Sequence, residues 1–178
     1  EKKDIQPVYG TKKPVETWNP IIINFVHLWG LFKDALHTQS WWDKVRIWFM
    51  PTGWRPADVS EKYPISYTEE VYNRPKYDTP ATSAFTSWSW FQLAIHNLLL
   101  IHLLLTIGDL GFFNIVWYSV FLMLSIFSYT SLMDGHPIAF GAEILKAFAA
   151  GFIFFNTGGW FGIDSVVPAG SFIIGGYV

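Results

Sequence analysis

The chain has 178 residues, 51% of them hydrophobic and 19% aromatic, and carries a formal charge of −2. Those averages hide a division: 11 of the 12 Lys and Arg residues fall within positions 1–80, which carry +1, while Lys146 alone serves the remainder, which carries −3. Soluble domains fill their surfaces with charged side chains, so positions 81–178 argue against a water-soluble enzyme, and acids interleaved among the bases argue against a nucleic-acid partner. The absence of cysteine excludes a disulfide scaffold, a thiolate nucleophile and any cysteine-held metal.

In chain order, 10–20 contains Pro14 and an Asn19-Pro20 break and is expected to be extended. A helix is predicted over about 21–38. Its wheel places Asn24, His27, Gly30, Lys33, Asp34 and His37 in one half, and Phe25, Leu28, Trp29, Phe32, Ala35 and Leu36 in the other, with Ile23 and Val26 out of pattern. Such a helix either packs on a soluble core or lies in the headgroup layer. Ser40-Trp41-Trp42-Asp43 has the form of a capping box and opens a short helix predicted to run to Met50, where Pro51 and Gly53 end it. Trp41, Trp42, Trp48, Phe49 and Trp54, set among Lys44, Arg46 and Arg55, suit a membrane–water interface or a small aromatic core under the spans. The stretch 63–80, with Pro64, Pro75, Pro80, Glu69, Glu70, Arg74 and Lys76, is a polar connector.

The remainder is apolar and uncharged for long runs. Segments at about 85–107 and 110–133 each exceed the roughly 18 residues that mark a membrane span, and only Gly108-Asp109-Leu110-Gly111 separates them, as in a helical hairpin. After the turn-like Asp134-Gly135-His136-Pro137, a third span is predicted at about 138–156, with Glu143 and Lys146 one helical turn apart. Glycines and Pro168 leave open whether 163–178 spans, re-enters or belongs to something longer. The expected architecture is all-α: an interfacial, aromatic-rich helical region over 1–80 and a bundle of two to four transmembrane helices over 81–178. Lys62, Arg74 and Lys76 before the first span, and Lys146 at the return of the second, place 1–80 on the cytoplasmic side of a bacterial inner membrane or the endoplasmic reticulum, with the 108–111 tip opposite.

Five histidines, at 27, 37, 96, 102 and 136, show no i,i+1, i,i+3 or i,i+4 pair, so no metal ligand and no catalytic residue is assigned. His96 and His102 share one half of their helix with Gln92, Thr106 and Asp109. Ionisable groups in a span usually face the bundle interior or a cavity, so this stripe either makes helix–helix hydrogen bonds or lines a cavity for a lipid substrate.

The run Thr17-Trp18-Asn19-Pro20, Asn24, then Ser40-Trp41-Trp42-Asp43-Lys44-Val45-Arg46-Ile47-Trp48-Phe49-Met50-Pro51-Thr52-Gly53-Trp54-Arg55-Pro56-Ala57-Asp58-Val59, with Tyr9, Gly10 and Pro14 before it and Ser131-Leu132-Met133-Asp134 after it, resembles the sterol desaturase/fatty acid hydroxylase superfamily, and within it the alkylglycerol monooxygenase branch. The resemblance implies a membrane enzyme in which histidine boxes hold a di-iron centre that oxidises lipid C–H bonds, with a reduced pterin as donor in that branch. The boxes lie upstream of the matched region and are absent here. The chain is therefore expected to be the C-terminal portion of such an enzyme, a fragment beginning just past the last box. It would be inactive without the histidine-box region or a partner chain supplying it. The alternative is a non-enzymatic anchoring or accessory subunit. In either role Trp54, Arg55, Gln92, His96 and His102 are the candidate contacts to membrane lipid, with Arg55 either near a headgroup phosphate or holding a turn through local carbonyls.

Overall fold

The computed structural model describes residues 15–65 and 76–178; the expectations placed on Tyr9, Gly10, Pro14, Glu69, Glu70, Arg74 and Pro75 lie outside them. Among the described residues all regular secondary structure is helical, without strands. The described residues form two compact units, one of 15–17, 21–65 and 76–78, the other of Trp18–Pro20 with Thr79–Val178.

In the first unit, helix α1 (Pro20–His37) buries only Ala35, and its apolar half, Phe25, Leu28, Trp29, Phe32 and Leu36, is exposed. Helix α2 (Trp41–Arg46) starts as its sequence requires: Ser40 Oγ accepts from the Asp43 amide at 3.3 Å. It stops four residues before Met50. Amides of Trp48 and Phe49 reach back only three residues, to Val45 and Arg46, tightening the chain into turns that bury Ile47 and end at Pro51. Helix α3 (Ala57–Lys62) is tied to the end of α1 by one carboxylate: Asp58 accepts from Thr38 Oγ1 at 3.0 and 3.1 Å and from the amides of Gln39 and Val59 at 2.9 Å.

Those bonds, the Gln39 amide foremost, hold the Asp58 carboxyl below its usual 3.8. A folded value below the unfolded one adds stability above pH 3.8 that is lost as pH falls through the folded value. Asp58→Asn is therefore expected to weaken the α1–α3 junction at neutral pH and to flatten its acid transition. Tryptophan fluorescence during acid titration checks this; identical acid curves for both proteins would count against the clamp.

The second unit contains three helices long and apolar enough to cross a membrane: α4 (Ser83–Thr106), α5 (Phe112–Met133) and α6 (Ile138–Thr157). Thr82 caps α4 by accepting from the Phe85 amide. Central α5 packs on both neighbours, most extensively on α6. Small residues recur among the buried positions of both helices, Ser125, Ser128 and Ser131 on α5 and Ala139, Ala142 and Ala150 on α6, as suits close helix packing where lipid supplies no hydrophobic drive. Gly135, at φ 63°, makes the turn between them. Trp18 and Asn19 fasten that turn: the Trp18 amide donates to Asp134 Oδ1 at 2.8 Å, and Asn19 Nδ2 donates to Ser131 Oγ at 2.8 Å and to the Phe127 carbonyl at 3.1 Å.

Beyond α6, Gly158 ends the helix in the left-handed conformation at φ 69°. The chain folds back through a 3-10 turn (Ile163–Ser165) into helix α7 (Gly170–Tyr177). With eight residues, α7 reaches about 12 Å and cannot cross the roughly 30 Å hydrocarbon layer. It is held by Asp164, which accepts from the Ser171 amide at 3.0 Å and from Ser171 Oγ, while that same oxygen accepts from the Trp160 amide at 2.8 Å. The Ser171 bonds hold the Asp164 carboxyl below its usual range.

Candidate functional site

The interior of the second unit gathers polar side chains that the protein buries. On α4, Gln92, His96 and His102 are all buried on one side, as a spacing of four and six residues along a helix allows. Gln92 Oε1 lies 3.4 Å from the hydroxyl of Tyr177 on α7. His96 has its ring 6.5 Å from that of Tyr129, and its Nδ1 finds no hydrogen-bond partner among the described residues. His102 Nδ1 is 3.1 Å from the Tyr118 hydroxyl, which donates to the Leu99 carbonyl at 2.9 Å; His102 Nε2 has no partner among the described residues. The stripe thus joins α4 to α5 and α7 and still leaves two ring nitrogens unpaired.

A charged pair, its lysine buried and its glutamate 32% exposed, lies in the same unit. Lys146 is 1% exposed, and its ammonium contacts Glu143 Oε2 at 2.6 Å, while Glu143 Oε1 accepts from Ser128 Oγ of α5 at 2.5 Å. The ammonium also sits 4.8 Å from the centre of the Tyr177 ring. Lys146 is the ninth residue of α6 rather than part of its entry turn, and its ammonium is bound inside the unit instead of flanking the end of the helix. The pairing with Glu143 and the aromatic face are what allow a cation at that depth.

Against this polar interior lies an apolar cleft of about 370 Å³ between α4 and the C-terminal segment. Leu98, Leu99 and Leu105 form one wall, Val167, Ile173 and Ile174 the other; His102 and Tyr177 also line it. Leu98, Leu105 and Ile173 stand exposed along its rim, so the cleft opens on the apolar outside of the unit. Its volume lies within the range of small-molecule sites.

The remaining candidates belong to the first unit. Arg55 makes a bidentate ion pair with Asp34, Nε–Oδ2 at 2.6 Å and Nη2–Oδ1 at 2.9 Å, and Nη1 donates to the Tyr63 carbonyl at 2.9 Å. All three guanidinium nitrogens are engaged within the unit, so a headgroup phosphate would have to displace them. Trp54 is half-buried, with the Arg46 guanidinium 5.1 Å above its ring. Trp41, Trp42 and Phe49 are far more exposed, at 82%, 73% and 83%.

No three His, Asp or Glu side chains among the described residues converge as a metal-binding group. His27 and His37 lie in one unit, His96, His102 and His136 in the other, and His102 Nδ1 and His136 Nδ1 are already hydrogen-bonded. These residues do not fit a di-iron centre, which needs several imidazoles or carboxylates at short separations. Lys146, Tyr118 and Tyr177 are the participants that the histidine stripe did not reveal. The one available signal was the i,i+3 spacing of Glu143 and Lys146 inside an apolar run.

No protein-family model matches the chain, and no solved structure does. Among curated proteins, human alkylglycerol monooxygenase is 25% identical over 154 residues, covering 82% of this chain and 33% of the relative. The chain thus spans about a third of the length of the relative it matches. A continuous match of that extent necessarily includes the α4–α5 hairpin. Three membrane-length helices and this distant similarity together point to an integral membrane protein related to a lipid monooxygenase.

Proposed function

We propose that the chain is a membrane portion of a lipid-modifying monooxygenase of the alkylglycerol type, within the sterol desaturase/fatty acid hydroxylase superfamily. On this reading it provides lipid-facing structure, while iron and the reductant, a reduced pterin, are handled by a histidine-box region outside it. The observation that carries the reading is the similarity itself, which runs through the paired spans rather than a short motif. The donor set supports the division of labour, since the described histidines are dispersed over two units. Positions 1–80 would face the cytoplasm, with Trp41, Trp42 and Phe49 in the headgroup layer.

Metal analysis of the 178-residue chain, purified in detergent after expression in iron-supplemented medium, tests this. Iron below about 0.1 per chain is expected, because dispersed imidazoles bind iron weakly. Joined to a histidine-box region of the same family, the protein is expected to hold iron and to consume an alkylglycerol with oxygen and a reduced pterin. Near-stoichiometric iron in the chain alone would overturn the division of labour, and a joined protein that holds iron yet leaves the alkylglycerol unchanged would overturn the substrate assignment.

A further inference from the structure

Helix α4 carries a polar side chain that its bundle leaves outside. Asn97 is exposed, and its carboxamide donates one N–H to the Leu93 carbonyl of its own helix at 2.7 Å, while Oδ1 has no partner among the described residues. It is the fifteenth of the 24 residues of α4, about 4 Å from the middle of the helix and inside a hydrocarbon layer of about 30 Å. Asn156, also exposed, stands instead second from the end of α6, within reach of headgroups and water. At the depth of Asn97 lipid offers nothing to bond to, and a carboxamide there is costly until another protein supplies the partner.

The residues around Asn97 recur at a defined interval. Thr86, Trp90, Leu93, Asn97, Leu100 and Leu104 alternate steps of four and three, the seven-residue pattern of a helix–helix seam. All are exposed except half-buried Leu93. The same alternation, Gln92, His96, Leu99 and Leu103, makes the buried stripe of α4, about 100° round the helix. One seam is filled by the bundle and the other is empty, and none of the six outer residues lines the cleft against α7. In the seven-residue frame Trp90, Asn97 and Leu104 share one position. It is the position at which a lone asparagine, in a parallel pair of helices, meets its own copy and fixes register and pair number. Having both donors and an acceptor, a carboxamide is complementary to itself. Two copies inserted the same way are related by a two-fold axis along the membrane normal, which sets their α4 helices parallel and places Asn97 opposite Asn97. We propose that α4 is a dimerisation face: a second copy of the chain packs along the Trp90–Leu104 stripe, and the two Asn97 side chains bond across the seam. The surface is independent of the oxygenase reading, so the 178-residue chain without iron tests it.

Because the chain has no cysteine, single cysteines report contacts without background. Oxidised in lipid vesicles, Leu93→Cys, Leu100→Cys and Leu104→Cys are expected to form disulfide-linked dimers, whereas Leu98→Cys and Leu105→Cys, exposed but off the stripe, are not. Energy transfer between two dye-labelled pools of the chain, followed as lipid is added, gives the dissociation constant. Asn97→Leu should raise it about three- to thirtyfold, the ratio for one interhelical hydrogen bond in lipid, and Asn97→Gln should recover part of the loss. The leucine variant gives up only a bond within its own helix, and circular dichroism is expected to show parental helix content. Cross-links at 98 or 105 in place of the stripe, or a dimer equally tight in Asn97→Leu, overturn the proposal. So does a chain that stays monomeric at every lipid ratio, the result if lipid alone or a helix of another protein covers this face.

Discussion

Glu143→Leu is expected to lower the stability of the second unit by about 3–5 kcal/mol, the range for stripping a buried charge of its partner. The size comes from what is left behind. Lys146 is 1% exposed on the ninth residue of a membrane-length helix, and without the carboxylate at 2.6 Å its ammonium keeps only the face of Tyr177. An aromatic face offsets part of that loss, about 2 kcal/mol when desolvated. Adding Lys146→Met should restore most of the stability, because it removes the buried charge that Glu143→Leu leaves unpaired, and apolar replacements of both members of such a pair are often neutral or better. Thermal unfolding of the single and double variants in the same detergent gives the coupling directly. A single variant within about 0.5 kcal/mol of the parent, the range for a surface substitution, would mean that Lys146 reaches water or lipid phosphate and is not held as described.

Trp160→Ala should have the second large effect. Trp160 is fully buried in the turn after α6, with ring centres of Phe121 at 4.6 Å, Tyr118 at 5.4 Å, Phe154 at 5.6 Å and Phe161 at 5.7 Å. In a water-soluble protein, such a truncation costs about 3–5 kcal/mol. Here the alternative environment for the indole is lipid, so the transfer part shrinks and the lost contacts and cavity remain. A loss of about 2–4 kcal/mol is expected, and Trp160→Phe should recover more than half of it. The expectation has a local consequence as well. Phe161, held at φ 46° and stacked on Tyr118 at 4.8 Å, is kept in that unfavourable backbone conformation by the same cluster. Limited proteolysis after Gly158 should therefore accelerate in Trp160→Ala, and an unchanged cleavage rate would show that the turn is supported from elsewhere.

The long elements were legible because each rests on a signal internal to one segment. Charge-free runs, the glycine-bounded hairpin and the Asp134–Pro137 turn bound the three apolar helices to within a few residues. Helix α2 ends early because burying Ile47 takes precedence over continuing the helical pattern, a tertiary effect that no local propensity encodes. The ambiguous 163–178 stretch resolves into a folded-back short helix for a similar reason: Asp164, Ser171 and the Trp160 amide close on one another only after the chain has reversed. For the site, the wheel placed Gln92, His96 and His102 on one side of α4. It could not supply Tyr118 from α5 or Tyr177 from α7, and so could not show which ring nitrogen is left over. Arg55 illustrates the limit from the other direction, since its partner Asp34 lies 21 positions away and no spacing rule joins them.

The bond from Ser128 on α5 to Glu143 on α6 bears on how the protein enters its membrane during synthesis. Alone, α6 would present a lysine near its centre to the insertion machinery, at about 2.5–3.5 kcal/mol, and a carboxylate besides. Paired with Lys146 and bonded to Ser128, the carboxylate enters already neutralised and already attached to the preceding helix. The sensible unit of insertion is therefore the α5–α6 hairpin, closed by a turn of four residues and clasped by Trp18 and Asn19, which the ribosome has made more than a hundred residues earlier. The Trp18–Asn19 strap is synthesised before the hairpin and can take its seat only after that turn exists.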